Sequence, residues 1–257
     1  MASMDNIARF SNRVENYIKY RPDYPREIIN YLTENAGLTT TSVVADVGCG
    51  PGISSKMFLE NGNRVIGVEP NDAMRAAAIE YLGEFPDFTV VDGRSDATTL
   101  DDDSIDMVVV GQAFHWFEPE GARVEFARIL KPDGAVVLMW NERQLDSTTF
   151  LQEYEAFIDQ FALDYSRVRH ENVKTDDLAA FFKNGYQKAV FPNVQIFNYD
   201  GLKGRLLSSS YIPAEGHPSH EPMLKELETL FAKHNENGKI EVFYDTTVYV
   251  SRPFLWQ

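Results

Sequence analysis

A short glycine-rich segment, Val44 to Gly52, constrains the fold of this 257-residue chain more than any other part of it. An apolar run leads directly into Gly48, Gly50 and Gly52, and a helix-like segment follows. Glycines at alternate positions allow a sharp turn, and they let a ligand approach main-chain atoms that a Cβ would shield. This strand, turn and helix are typical of the first unit of a nucleotide-binding α/β sheet, so we expect a cofactor at the turn.

The spacing of the glycines indicates which kind of cofactor the turn favours. A dinucleotide fingerprint, G-x-G-x-x-G, needs its third glycine at position 53, which is Ile53. Asp46 stands two positions before the first glycine, where a carboxylate repels a pyrophosphate and attracts an ammonium or sulfonium group. The pattern therefore favours a cationic ligand, with another kind of nucleotide site or a purely structural turn as the alternatives.

The charge of the chain argues against nucleic acid and anionic membranes as partners. Its 39 acidic and 24 basic residues give a formal net charge of -15, which would repel a phosphate backbone. The single cysteine, Cys49, cannot form an internal disulfide, and the opening residues lack the pattern of a secretory signal. We expect a cytoplasmic protein, either a monomer or a homodimer, whose partner is a small-molecule substrate.

Strand and helix patterns alternate along the first half of the chain. Parallel strands joined by helical crossovers require a doubly wound sheet. The predicted fold class is α/β, with a mostly parallel seven-stranded sheet, helices on both faces, the last two strands antiparallel at one edge, and a helical cap. We expect strands near 42–47, 64–69, 88–92, 106–111, 135–140, 190–197 and 240–250, and helices near 24–37, 51–60, 71–82, 118–130, 148–162, 176–182, 201–208 and 221–235.

The same pattern predicts four consecutive parts of the chain. Residues 1–36 form an amino-terminal helical cap segment, and residues 37–141 form a Rossmann-like cofactor-binding core. Residues 142–187 form a helical lid insertion over the site. Residues 188–257 complete both the core and the lid.

Ligands bind at the carboxyl ends of the strands in such a sheet, so residues at strand ends are the first site candidates. Glu69, followed by Pro70, ends the second strand 19 positions beyond Gly50, close to the interval at which an acidic side chain binds ribose hydroxyls. After the third strand, Ser95 and Asp96 lie in a turn where Asp96 can accept from an exocyclic amine of adenine. The alternatives are a solvated charge for Glu69 and simple turn capping for Ser95 and Asp96.

The fourth predicted strand ends in an aromatic cluster that contains one of the five histidines, His115. Gly111 and Gln112 can approach the amino-acid portion of a cofactor, while Trp116 and its aromatic neighbours can exclude water. His115 is a candidate general base, and the alternative is a histidine that only shapes the pocket. Asp101 to Asp103 predict a solvated turn, so no metal site is expected.

Several segments together resemble the type 11 family of class I S-adenosylmethionine-dependent methyltransferases, and most closely its trans-aconitate methyltransferase-like branch. The resemblance spans nearly the whole chain, although Asp133 stands where the family's turn has glycine. It implies a Rossmann-like methyltransferase fold, with S-adenosylmethionine as cofactor and S-adenosylhomocysteine as product. The segments that carry it are Phe10, Tyr17, 20–25, the glycine turn, 111–117, 128–134 and 204–211.

That branch includes enzymes that methylate small carboxylic acids, so the resemblance suggests O-methyl ester formation. Arg21 and Arg205 are candidate clamps for a carboxylate, with structural ion pairs as the alternative for each. Hydroxyl, amine and carbon acceptors also stay open, as do an NAD-dependent oxidoreductase and a non-catalytic cofactor-binding protein. The predicted cofactor-binding residues are Tyr17, Asp46, Gly48, Gly50, Gly52, Glu69, Pro70, Ser95, Asp96, Gly111 and Gln112, and the predicted substrate-binding residues are Arg21, Tyr24, His115, Trp116, Asn141 and Arg205.

Overall fold

Seven strands form one mixed sheet in the computed structural model, which describes residues 14–163, 175–183 and 185–251. The strands are β1 (Val43–Val47), β2 (Arg64–Val68), β3 (Phe88–Val91), β4 (Ile105–Gly111), β5 (Leu130–Arg143), β6 (Gln187–Phe197) and β7 (Ile240–Ser251). Their order across the sheet is β3-β2-β1-β4-β5-β7-β6. Strands β1 to β5 run parallel, and β7 is antiparallel to both β5 and β6. The predicted fold class is confirmed, including the antiparallel pair at one edge.

Helices alternate with the parallel strands, and their ends follow from local sequence. The side chain of Asn71 accepts hydrogen bonds from the amides of Ala73 and Met74, which caps one helix, and Gly37 ends another with a left-handed φ of 74°. No helix of the described ranges is long and apolar enough to cross a membrane. The helices are α1 (Val14–Tyr20), α2 (Glu27–Ala36), α3 (Ile53–Glu60), α4 (Asp72–Tyr81), α5 (Pro119–Ile129), α6 (Thr149–Phe161), α7 (Thr175–Phe182), α8 (Tyr199–Leu207) and α9 (His220–His234), with a 3-10 turn at Phe114–Trp116.

The central strands are apolar on both faces because helices cover the sheet from both sides. In β4, Met107 and Val109 pack on the side of α2 and α3, while Val108 and Val110 pack on the side of α5 and α7. All four side chains are almost completely buried. This burial holds the parallel strands in register, so that their carboxyl ends meet at one edge of the sheet.

A third apolar cluster forms a cap beside that edge. It joins α6, α8 and α9 to the ends of β6 and β7 through buried side chains such as Leu151, Leu202 and Leu227. A second described helix of the predicted lid segment, α7, lies on the sheet instead, where the ring of Phe181 contacts that of Phe114 at a centroid distance of 4.7 Å. Of the described residues in 142–187, those of α6 therefore join the cap and those of α7 join the core.

Strand β5 starts earlier than the hydrophobic pattern predicts. Ile105 pairs with Leu130 and Met107 pairs with Ala135, so the register shifts within residues 131–134. Pro132, Asp133 and Gly134, residue types that are typical of a turn, therefore form a bulge inside β5, because extra residues on one strand must loop out to keep the flanking pairs. Of the segments that carry the family resemblance, Phe10 lies outside the described residues.

Candidate active site

A cavity of about 300 Å³ lies at the carboxyl ends of the parallel strands, next to the cap. It is lined by residues from the strand ends, from α1 and the segment after it, and from α8 and β7. Two predicted residues, Asp46 and Gly52, do not line it. The predicted residues that do are Tyr17, Arg21, Tyr24, Gly48, Gly50, Glu69, Pro70, Ser95, Asp96, Gly111, Gln112, His115, Trp116, Asn141 and Arg205.

The glycine turn and Glu69 form one wall of the cavity. Gly50 has a φ of +54°, and a Cβ built on it would meet no atom within 4 Å, so its main chain faces open space. The Glu69 carboxylate accepts from the amide of Gly50 through Oε2 at 3.0 Å and from that of Asn71 through Oε1 at 2.9 Å. Burial raises the pKa of Glu69. Each oxygen of a carboxylate has two lone pairs, so both can still accept a hydroxyl hydrogen.

Asp46 lies beneath this wall, with none of its surface exposed. Its Oδ2 accepts from the hydroxyls of Ser54 at 2.7 Å and Ser55 at 2.6 Å in the first turn of α3, and its buried Oδ1 has no hydrogen-bond partner among the described residues. Burial raises the pKa of Asp46 to about 6, although both serines oppose that shift. The carboxylate therefore anchors the start of α3 instead of facing the cavity.

The raised pKa of Asp46 should make folding stability depend on pH. The preference of the folded state for the protonated Asp46 adds to the free energy of unfolding. This stabilisation is complete below the ordinary aspartate pKa of 3.8 and is lost as pH rises through the folded value of about 6, a change of about 3 kcal/mol. We expect the free energy of unfolding of the wild type, relative to an Asp46→Asn variant, to fall by about this amount between those pH values. Urea denaturation over a pH series measures the difference. Parallel curves for the two proteins would contradict it.

After β3, the side chain of Asp96 lines the cavity but already has a partner. Arg94 donates to it through two atoms, Nε to Oδ1 at 3.0 Å and Nη2 to Oδ2 at 2.9 Å. Ser95 also lines the cavity between them. An amine that approaches Asp96 would share its carboxylate with Arg94.

The end of β4 turns sharply around Gln112, whose φ is +58°. Its side-chain amide donates to the carbonyl of Asn141 at 3.0 Å, which fixes the turn to the end of β5. His115 and Trp116 follow in the 3-10 turn, and their rings lie 4.6 Å apart. Both half-buried side chains line the cavity, so β4 delivers an imidazole and an indole to the same space.

Two half-buried arginines bring positive charge to the cap side of the cavity. Arg205 donates from Nε to the Tyr244 hydroxyl and from Nη1 to the Ser209 hydroxyl, both at 3.2 Å. Arg21 donates from Nη2 to the Ser208 carbonyl at 3.1 Å, and its enclosed Nε has no partner in the described chain. Burial, and then the neighbouring Arg205, lower the pKa of Arg21. No carboxylate among the described residues pairs with either guanidinium.

Some residues of the cavity were not predicted from the sequence. Arg143 follows the end of the apolar part of β5, so the strand-end rule could have found it, and its guanidinium forms an ion pair with Glu155 of α6. Tyr244 sits within an alternating β pattern that says nothing about a ligand. The other missed lining residues that matter here are Asn71, Ser210 and Tyr211.

Comparison with known proteins agrees with this geometry. A family model described as "Methyltransferase domain" matches residues 45–138. A methyltransferase-like protein of Schizosaccharomyces pombe is 26% identical over 259 residues, covering 98% of each chain. A methyltransferase of Geobacillus sp. (strain WCH70) is 31% identical over 175 residues, covering 66% of this chain and 75% of that protein. The solved structure of a putative type II methyltransferase from Anaeromyxobacter dehalogenans shares the fold, with a TM-score of 0.66 at 20% identity over 91% of this chain and 98% of that one.

The match to the Geobacillus protein covers most of that relative, and the family model runs from within β1, through the glycine turn, to within β5. The mixed sheet of seven strands, with its antiparallel edge, belongs to the fold that the chain shares with the Anaeromyxobacter structure. The chain therefore belongs to the S-adenosylmethionine-dependent methyltransferases.

Proposed function

We propose that this methyltransferase forms a methyl ester on a small carboxylic acid, as its resemblance to the trans-aconitate methyltransferase-like branch suggests. The observation that carries this proposal is the pair of guanidinium groups, Arg21 and Arg205, at the cavity wall without a carboxylate partner in the described chain. Two neighbouring cations raise each other's free energy, and an anion between them lowers it. In a chain with a net charge of -15, this local excess of positive charge favours an anionic acceptor.

The residues of the opposite wall fit the cofactor. The open space beside Gly50 would be filled by any larger residue, so it suits a ligand that contacts the main chain. Glu69 would accept from the ribose hydroxyls while it holds the amides of Gly50 and Asn71. Ser95 and Asp96 would lie toward the adenine, and Gly111 and Gln112 toward the amino-acid portion.

Asp46 would act on the cofactor from a distance. Its negative charge lies below the glycine turn and stabilises a positive charge above it without contact. Through Ser54 and Ser55 it also fixes the start of α3, which follows the turn directly. Asp46 would therefore both fix the position of α3 and supply a negative charge near the cofactor.

The protein's part in catalysis would be alignment and exclusion of water. When bound, S-adenosylmethionine supplies a methyl group that is electrophilic because it is attached to a sulfonium sulfur. Arg21 and Arg205 would hold the acid, because guanidinium groups bind carboxylates through paired hydrogen bonds. Trp116 and Tyr24 would limit the access of water to the reacting groups. No base is needed, since a carboxylic acid is already ionised near neutral pH.

His115 offers a second possibility, methyl transfer to a hydroxyl or amine, because its ring lines the same cavity. Such acceptors must lose a proton, and a positioned base is commonly worth 10²- to 10⁴-fold in rate. With a carboxylate acceptor we expect His115→Ala to lower kcat by less than about 10-fold and to leave the shape of the pH profile as in the wild type. Steady-state rates across pH measure this, with the exposed His217→Ala as the matched control. A loss of 10²-fold or more would favour the hydroxyl or amine acceptor.

A screen of small acids, phenols and amines for release of S-adenosylhomocysteine tests the proposal directly. We expect turnover with one or more acids and none with neutral analogues such as their amides. Turnover confined to phenols or amines would refute the carboxylate assignment. Calorimetry with S-adenosylhomocysteine and NAD in parallel separates the methyltransferase site from a dinucleotide site, because only the first should bind.

A further inference from the structure

Residues 17–24, which we name the amino-terminal strap, cover one side of the cavity. Tyr17, Arg21, Pro22 and Tyr24 of the strap all line it. The strap begins in the last turns of α1 and then continues without regular secondary structure toward α2. Its position therefore depends on contacts with other parts of the chain, because a non-helical segment has no internal hydrogen-bond ladder.

Side-chain amides of the sheet supply those contacts. Gln195 donates from Nε2 to the Tyr20 carbonyl at 3.1 Å, and Asn193 donates from Nδ2 to the Asp23 carbonyl at 2.7 Å. Asn141 donates from Nδ2 to the carbonyls of Pro22 and Asp23, both at 3.3 Å. Three strap carbonyls are thus held by three amides on β5 and β6.

The amides are themselves held in orientation by neighbours on the sheet. Asn193 Nδ2 also donates to Asn141 Oδ1 at 3.1 Å, and the Tyr244 hydroxyl donates to Gln195 Oε1 at 2.9 Å. Since Arg205 donates to the Tyr244 hydroxyl, a continuous chain of hydrogen bonds joins Arg205 to the strap. Such a network orients its members more firmly than separate bonds would.

Helix α8 contacts the strap at Gly204, where a side chain would clash with the strap. A Cβ built on Gly204 would lie 2.0 Å from Cε2 and 2.3 Å from Cδ2 of Tyr20, so the tyrosine ring rests directly on the helix backbone. One turn later, Arg21 donates to the carbonyl of Ser208. The ring of Tyr20 therefore contacts α8, and the guanidinium of Arg21 contacts the residue that caps its carboxyl end.

We propose that Asn193, Gln195 and Gly204, none of which lines the cavity, are positioning residues that set the strap so that Tyr17 reaches the cofactor and Arg21 and Tyr24 reach the acceptor. Asn141 serves the same network from the cavity wall, which gives its side chain a role different from the predicted contact with substrate. This inference rests on the proposed use of the cavity for cofactor and acceptor. Loss of these contacts should disturb ligand binding more than it disturbs the core.

The amide contacts are tested with Gln195→Glu and with Asn193→Ala. Gln195→Glu keeps the acceptor for Tyr244 but removes the donor to Tyr20, and Val194→Ala, exposed on the same strand, is the matched control. We expect the double variant Asn193→Ala/Gln195→Glu to weaken S-adenosylhomocysteine binding about 10-fold in calorimetry. Hydrogen exchange should speed up in residues 17–24 before it does so in the strands. Unchanged affinity in a folded double variant, or exchange that rises equally throughout the chain, would overturn the inference.

Gly204→Ala tests the contact between Tyr20 and α8 independently. Alanine is the better helix former, so a loss of binding cannot come from helix propensity. We expect Gly204→Ala to weaken binding about 10-fold in the wild-type background and to have no further effect in a Tyr20→Ala background, because the clash requires the ring. An equal loss in both backgrounds would show that Gly204 acts without the strap. Wild-type protein that binds S-adenosylhomocysteine but methylates no acid would contradict the proposed acceptor and leave these tests valid.

Discussion

Replacement of Arg205 by methionine is expected to raise the KM for an acidic acceptor by about 100-fold while the affinity for S-adenosylhomocysteine changes less than about threefold. The guanidinium is at the cavity wall and uses only two of its donor atoms, on Tyr244 and Ser209, so it has donors left for a carboxylate. Charge-assisted hydrogen bonds contribute roughly 1.5 to 3 kcal/mol each, and 1.4 kcal/mol is a factor of ten in binding. Steady-state kinetics with the acceptor and calorimetry with S-adenosylhomocysteine separate the two effects.

Two further variants make the result specific. Arg205→Lys keeps the charge but loses the planar pair of donors, so we expect an intermediate KM. Arg64→Met removes an exposed arginine at the start of β2, at the opposite end of the strand from the cavity, and should leave both constants unchanged. If Arg205→Met kept the wild-type KM for every acid that is turned over, the arginine pair would not be the carboxylate site.

The fold was predictable because local signals and burial agree. The apolar runs of β1 and β4 are buried on both faces, which is why they lack the alternation of a half-exposed strand. Asn71 caps α4 where its sequence position predicts. The bulge in β5 was not predictable from the same signals, because a proline, an aspartate and a glycine indicate a turn regardless of whether a strand continues around it.

The lining of the cavity was predictable where it depends on the topology of the sheet. Strand ends converge at one edge, so Glu69, Gly111 and His115 could be placed at the cavity from their positions alone. Asp46 could not, because whether a carboxylate faces a ligand or a helix end depends on where Ser54 and Ser55 fold back. Tyr244 reaches the cavity only through the antiparallel pairing of β5 with β7 and the packing of the cap, which are tertiary contacts.

Glu69→Ala is the second change with a large expected effect, a loss of at least about 100-fold in affinity for S-adenosylhomocysteine. The variant would remove the proposed acceptor of two ribose hydroxyls and the observed acceptor of the Gly50 and Asn71 amides, so the glycine turn would lose its support as well.

Because burial raises the pKa of Glu69, wild-type affinity for S-adenosylhomocysteine should also fall as pH is lowered, since the ionised form is the one that accepts hydroxyl hydrogens. Glu69→Gln should bind with intermediate affinity and lose that pH dependence, whereas Glu84→Ala, an exposed carboxylate after α4, should behave as wild type. Calorimetric titrations of the four proteins at several pH values measure all of these effects, and an affinity for Glu69→Ala equal to that of the wild type would remove Glu69 from the cofactor site.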